Sequence, residues 1–79
     1  MFPIITDVKP ASNYFVILTF ETGERRKFDM KPYLETGIFK ELKDPSVFDS
    51  VHLSFDTVEW SNEADLDPEI LFQNSRLID

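Results

Sequence analysis

The first thirty residues alternate apolar and polar side chains in a way that predicts three β-strands. Residues 2–9 alternate with a period of two, as in a strand half-buried in a sheet. Residues 9–13, KPASN, are rich in turn-forming side chains, and residues 14–20, YFVILTF, in the aromatic and β-branched side chains typical of strands. After a short loop, residues 25–30, RRKFDM, predict the third strand.

The loop between the second and third strands predicts how they pair. Gly23 suits the left-handed position that ends a three-residue loop, Glu21–Gly23. A two-residue Thr22–Gly23 turn would instead leave Val16 opposite Asp29, so we expect the first register. Its pairs are Phe20 with Glu24, Leu18 with Arg26, Val16 with Phe28 and Tyr14 with Met30.

Phe15 and Ile17 point to the other face of the second strand in this register. Exposed apolar patches mark interfaces, so we expect a helix, the first strand or another subunit to cover them. Both residues are therefore candidates for contact with a partner.

The middle of the chain predicts short helices. Ile38, Phe39 and Leu42 have the spacing of one helical face. Asp44 followed by Pro45 is an N-cap with proline at the first helical position, which predicts one more helical turn.

The C-terminal part predicts two more strands and a helix. Residues 51–55 read as a half-buried strand with its apolar side chains at odd-numbered positions, and residues 58–60 continue the pattern after a turn. A helix begins at Pro68, and residues 74–79 look like a fraying tail. The order of elements predicts an α+β fold, with a small, mainly antiparallel sheet of about five strands and short helices that include a C-terminal one.

Length and composition narrow the class of protein. Seventy-nine residues suit a single domain, residues 1–79. The absence of cysteine excludes disulfides and thiolate metal sites. The N-terminus has no signal-peptide pattern, and the longest apolar run, residues 14–18, is far below the ~18 residues that span a bilayer. We therefore expect a soluble, cytoplasmic protein that does not bind membranes.

The net charge of −7 is unevenly distributed along the chain. Residues 1–40 carry a balance of +1, and residues 41–79 a balance of −8. An acidic half repels phosphate backbones, so we expect no direct binding of nucleic acid, whereas a basic protein partner would fit. The alternative is that the acidic surface only keeps the protein soluble.

Residues 60–71, WSNEADLDPEIL, are the main candidate for a functional site. The residues from Asp65 onward do not match a calcium-binding loop. Such a loop needs glycine at its sixth position and a carboxylate at its twelfth, where this sequence has Ile70 and Arg76. As a catalytic or metal-binding pair, Asp65 and Asp67 would need a cleft that desolvates one carboxyl group. A domain of this size rarely forms such a cleft.

Ordinary structural roles explain much of this stretch. Asp67 is a natural N-cap, Pro68 takes the first helical position, and Glu69 lies where the helix dipole favours negative charge. Trp60 ends a strand, and we expect its ring in the core. The residues left without such a role, which we expect to contact a partner, are Asn62, Glu63 and Asp65.

No other cluster in the sequence supports catalysis or a cofactor. His52, Ser54 and Asp56 share one face of a strand but have no nearby glycine for an oxyanion hole. Arg25 and Lys27 are too few cations to hold a nucleic acid strongly. Phosphate-binding and dinucleotide-binding glycine loops are missing. We therefore expect no enzymatic activity, no cofactor and no metal site.

The order and spacing of the motifs resemble a small bacterial family known as domain of unknown function 2442. The matching segments are PIITDVKP, YFVILTFETGERRKFDM, PYLETGIFKELKDPSVFDSV and VEWSNEADLDPEIL, which cover nearly the whole chain. The residues that match the most specific motif are Trp60, Asn62, Asp65, Leu66, Asp67 and Pro68. The resemblance implies a small α+β domain and attaches no catalytic role to these residues.

The resemblance also bears on partners. Some family members carry a helix-turn-helix domain after this module, and DNA binding is not carried over because that domain is not in this sequence. Family genes often lie beside a gene for another small protein, in an arrangement like that of toxin–antitoxin pairs. A partner encoded by such a neighbouring gene is therefore what the resemblance implies.

Three functions compete at this point. The leading hypothesis is a non-enzymatic protein-binding module, antitoxin-like, whose partner is a small and basic protein. The second is a self-associating structural domain, such as a homodimer that buries Phe15 and Ile17. The third is a metal-dependent hydrolase that uses Asp65 and Asp67.

Overall fold

The computed structural model describes residues 3–78, and its fold is α+β, as predicted. The elements in chain order are β1 (Ile5–Ala11), β2 (Phe15–Phe20), β3 (Arg25–Asp29), α1 (Pro45–Phe48), β4 (His52–Ser54), β5 (Thr57–Glu59), α2 (Pro68–Asn74) and β6 (Arg76–Ile78), with 3-10 segments at Ser12–Tyr14, Lys31–Tyr33 and Gly37–Lys43. Within the described residues the strands form an antiparallel sheet in the order β1-β2-β3-β6 and a separate β4-β5 hairpin.

The register predicted for the β2–β3 hairpin is confirmed. Val16 lies opposite Phe28, and Leu18 lies opposite Arg26. Gly23 has a φ of +88°, the left-handed conformation that ends a three-residue loop. The loop therefore determines which side chains of both strands reach the core.

The core lies on one face of the four-stranded sheet. Val16, Leu18 and Phe20 alternate along β2 and are at most 1% exposed, while the residues between them are half-buried on the other face. The segments after β3 supply the opposite wall. Its fully or nearly fully buried side chains include Leu42, Phe48, Val58, Trp60 and Leu71.

The Gly37–Lys43 segment is a 3-10 helix, which changes the face predicted for it. A 3-10 helix has three residues per turn, so Phe39 and Leu42 lie on the same side. Leu42 is fully buried and Phe39 packs against the core, whereas Ile38 is 45% exposed. The grouping of all three on one face is therefore wrong for Ile38.

The first strand differs from its prediction at both ends. Phe2 lies outside the described residues, and β1 continues through Pro10, which an edge strand tolerates. A register shift between Ile5 and Asp7 locally breaks the alternation. As a result Ile5 is buried, while Ile4 is 54% exposed.

Within the segment 74–79, for which the sequence predicts a fraying tail, Arg76–Ile78 form strand β6 instead, and Asp79 lies outside the described residues. Strand β6 pairs with β3, and Arg76 lies directly opposite Lys27. Ser75 is buried at the end of α2, and its hydroxyl donates to the Phe72 carbonyl at 3.0 Å. Helix α2 thus delivers the chain to the free edge of β3, whose backbone groups would otherwise lack strand partners.

Replacing Gly23 by alanine should lower the free energy of unfolding by about 1 kcal/mol, because a side chain strains a residue with positive φ. No heavy atom lies within 4 Å of the added Cβ position, so the loss reports backbone strain and not a clash. Urea unfolding followed by Trp60 fluorescence measures the change, with Glu21→Ala in the same exposed loop as the control. Equal unfolding midpoints for the two variants would contradict the loop conformation.

Candidate functional site

The candidate acidic stretch begins with a tight loop built around Trp60. The Trp60 N–H donates to the Ala64 carbonyl at 2.9 Å, and the Glu63 N–H donates to the Trp60 carbonyl at 2.9 Å. The indole is 1% exposed, and its Nε1 donates to the Phe48 carbonyl at 3.1 Å. The buried ring therefore anchors the loop to helix α1.

The fold itself uses Asn62, which we had expected to contact a partner. The Asn62 amide nitrogen donates to Glu41 Oε1 at 2.8 Å and to the Ile38 carbonyl at 3.4 Å. Its amide oxygen accepts from the Ala64 N–H at 3.1 Å. These bonds tie the loop to the 3-10 segment Gly37–Lys43. Sequence reasoning missed this role because Glu41 is distant along the chain.

The structure contains the predicted cap of α2. Asp67 Oδ1 accepts from the Glu69 N–H at 2.8 Å, and Pro68 takes the first helical position. One oxygen of the Asp67 carboxylate therefore caps the N-terminus of the helix. Among residues 3–78, no three His, Cys, Asp or Glu side chains are grouped so that they could hold a metal ion.

Asp65 lies in a row of polar residues that crosses the smaller sheet. It stands opposite Glu59 in an isolated antiparallel bridge, and Glu59 in turn stands opposite His52. His52 Nε2 is 3.6 Å from Glu59 Oε1. Like charges directly opposite each other destabilise a sheet, so the Glu59–Asp65 pair favours a nearby cation.

The turn between β4 and β5 carries a fully exposed aromatic ring. Phe55 is 103% exposed and has a φ of +55°. Positive φ in a two-residue hairpin turn is normally taken by glycine, asparagine or aspartate, and a bulky residue there is strained. Leu53, on the adjoining strand, is 41% exposed.

The exposure of this hairpin corrects the sequence prediction. Of the odd-numbered residues from 51 to 55, Val51 is buried, whereas Leu53 and Phe55 are not. Strand β4 ends at Ser54, so Phe55 belongs to the turn, where alternation no longer determines burial. The signal that could have identified Phe55 is the lack of a glycine in a two-residue turn.

The exposed hairpin and the acidic loop are neighbours. Thr57 Oγ1 donates to the Leu66 carbonyl at 2.5 Å, which holds the segment after the loop beside β5. Glu63 is exposed and has a φ of +70°. We call this region the hairpin surface, and its members are Phe55, Asp56, Glu59, Glu63 and Asp65. Leu53 pairs with Val58 on the other face of the hairpin and is not a member.

Phe15 and Ile17, on the other side of the molecule, are half-buried within the chain. The Lys31 Nζ lies 4.2 Å from the centroid of the Phe15 ring, and the Lys27 Nζ lies 5.1 Å from it. Lysine side chains therefore provide part of the cover that we had assigned to a helix, the first strand or another subunit.

The face that contains Phe15 is basic. Slight burial raises the pKa of Asp29, but hydrogen bonds from Lys31 and its ammonium charge outweigh that effect and hold the pKa below its ordinary value. Asp29 thus stays ionised and offsets Lys31. We call this side of the sheet the open face, and on it four cations outnumber two carboxylates. Its charged and larger apolar members are Asp7, Lys9, Phe15, Ile17, Arg25, Lys27, Asp29, Arg76 and Ile78.

Comparison with known proteins identifies the family. A family model described as "Protein of unknown function (DUF2442)" matches residues 5–76, and the chain belongs to that family. The resemblance seen in the sequence motifs is thereby confirmed. No curated protein and no solved structure matches the chain. None of the helices in residues 3–78 has the length and apolar character needed to cross a membrane.

Asp67→Ala should lower the free energy of unfolding by about 1 kcal/mol, because it removes the side-chain cap of α2. Asp65→Ala removes a carboxylate from the same stretch but should leave stability unchanged or slightly higher, because it relieves repulsion from Glu59. Thermal and urea unfolding of both variants measure the difference. Equal losses in the two variants would be inconsistent with the assigned cap.

Proposed function

We propose that this family member is a non-enzymatic protein-binding module, and that the hairpin surface holds a small basic partner. The observation that carries the proposal is Phe55, a fully exposed aromatic side chain at positive φ. In an antitoxin-like arrangement, the partner would be the product of an adjacent gene.

Phe55 lowers the stability of the free protein in two ways. The backbone conformation costs of the order of 1–3 kcal/mol for a bulky residue. Because the ring is exposed, the folded protein also lacks the roughly 1.5–3 kcal/mol of stability that burial of such a side chain contributes. Aromatic side chains that become buried at an interface dominate many binding energies. A partner that covers the ring would recover the second of these losses.

The charge of the hairpin surface determines the kind of partner that would fit. Asp56 follows Phe55 in the turn, and Glu59, at the other end of β5, lies opposite Asp65 of the acidic loop. Charge complementarity across an interface steers encounter and excludes like-charged partners. Lysine or arginine side chains placed between Glu59 and Asp65 would relieve their repulsion, which supports a basic partner.

The competing functions have less support. Asp67 accepts a hydrogen bond from the helix terminus, which gives one member of the proposed hydrolytic pair a structural role. Self-association through Phe15 and Ile17 has less support, because Lys9, Lys27 and Arg76 lie on the same face and would repel those of a second copy.

Phe55→Gly should weaken binding of the partner by about tenfold or more. The same change should leave the free energy of unfolding unchanged or raise it by up to about 1 kcal/mol, because glycine accepts positive φ. Co-expression with the adjacent gene product, size-exclusion chromatography and calorimetry of the purified pair measure binding. Urea unfolding measures stability.

Ile38→Ser is the matched control, since it also removes an exposed apolar side chain but lies outside the hairpin surface. It should leave the affinity unchanged. Separate elution of the two wild-type proteins at micromolar concentration would reject the proposed partner. If wild type and Phe55→Gly bind the partner with equal affinity, the partner does not contact the Phe55 side chain.

A further inference from the structure

The sheet register brings cations together on the open face. Lys9 lies opposite Ile17, Ile17 opposite Lys27, and Lys27 opposite Arg76, so that one row crosses all four strands. Lys27 and Arg76 are direct neighbours, and like charges in that position repel. None of the three cations in the row forms an ion pair with another residue in the range 3–78.

This concentration of positive charge stands out on a chain of net charge −7. The fold does not require it, because a neutral side chain at Arg76 would remove the repulsion from Lys27. Features that break a local rule of stability, such as paired like charges, are expected at functional sites. The Lys and Arg residues on the open face or at its margin are Lys9, Arg25, Lys27, Lys31 and Arg76, out of eight in the chain.

A cavity of about 360 Å³ lies on this face, where β6 meets β3. It combines two cations, a side-chain amide, an aromatic ring and the Asp29 carboxylate, whose charge Lys31 offsets at 3.1 Å. The two remaining cations can hold a carboxylate beside an apolar group. Apolar residues surrounded by charged ones also match the general pattern of protein interfaces. The lining residues are Phe15, Lys27, Asp29, Asn74 and Arg76.

We propose that the open face binds an acidic peptide segment of a partner protein. Carboxylates of the segment pair with Lys27 and Arg76, and its apolar side chains rest against Phe15 and Ile17. This surface is separate from the hairpin surface, and the two proposals do not depend on each other.

The charge of the whole molecule favours a short peptide over a single-stranded nucleic acid. A nucleic acid would extend beyond the basic face over a molecule of net charge −7, which repels phosphates. A short acidic segment avoids that repulsion.

The test uses fluorescently labelled poly-L-glutamate, with labelled poly(U) as the competing polyanion. Wild type should bind poly-L-glutamate more tightly than poly(U), and both interactions should weaken with salt. Lys27→Glu and Arg76→Glu should each weaken poly-L-glutamate binding by about tenfold or more. Lys40→Glu, an exposed site on a 3-10 segment with the same change in charge, is the control and should change binding less than about twofold.

A second variant separates binding from folding. Arg76→Gln should also weaken poly-L-glutamate binding, yet its melting temperature should equal or exceed that of wild type, because repulsion from Lys27 is removed. A purely structural role for Arg76 predicts a lower melting temperature. Phe55→Gly should bind poly-L-glutamate as tightly as wild type does. A failure of the open-face proposal can therefore be distinguished from a failure of the hairpin-surface proposal.

Three results would overturn the inference. Equal losses of poly-L-glutamate affinity in Lys27→Glu and Lys40→Glu would show that overall charge, and not the open face, controls binding. Tighter binding of poly(U) than of poly-L-glutamate would make a nucleic acid the occupant of the open face. A concentration-dependent dimer in sedimentation velocity that Lys27→Glu abolishes would make a second copy of the chain the occupant.

Discussion

The burial of Trp60 is the interaction on which the candidate site depends. A buried indole needs an acceptor for its N–H, and the Phe48 carbonyl supplies one at 3.1 Å. This bond joins helix α1 to the start of the acidic loop, while the Trp60 backbone closes the loop onto Ala64. Asn62 then ties the same loop to Glu41. The position of Asp65 beside β5 follows from these contacts, which is why the acidic loop lies next to the hairpin.

Two separate surfaces of the protein each carry a pair of like charges, positive on one surface and negative on the other. On the open face, Lys27 stands opposite Arg76, and beside the hairpin, Glu59 stands opposite Asp65. Each pair opposes folding, and a group of opposite charge beside it would relieve the repulsion. The uneven charge of the sequence indicated an acidic half, but it did not indicate the basic face. The sheet gathers that face from β1, β3 and β6, which are far apart along the chain.

Local signals predicted the parts of the fold that rest on neighbouring residues. Gly23 indicated the loop that sets the β2–β3 register, and Asp67 with Pro68 indicated the start of α2, because turns and caps are made within a few residues. The candidate site was less predictable. The bond from Asn62 to Glu41 has no local signal because the two residues are remote in sequence, and the pattern that predicts a half-buried strand to residue 55 continues past the end of β4.

The sequence by itself determined the α+β class, the hairpin register, the cap of α2 and the family, since all of these follow from short-range patterns and their order. The tertiary structure decided which apolar residues stay outside and which charges meet. Strand β6 forms because α2 returns the chain to the edge of β3, and that pairing alone places Arg76 opposite Lys27. Burial and cross-strand contact depend on neighbours supplied by distant parts of the chain, and a local pattern carries no information about them.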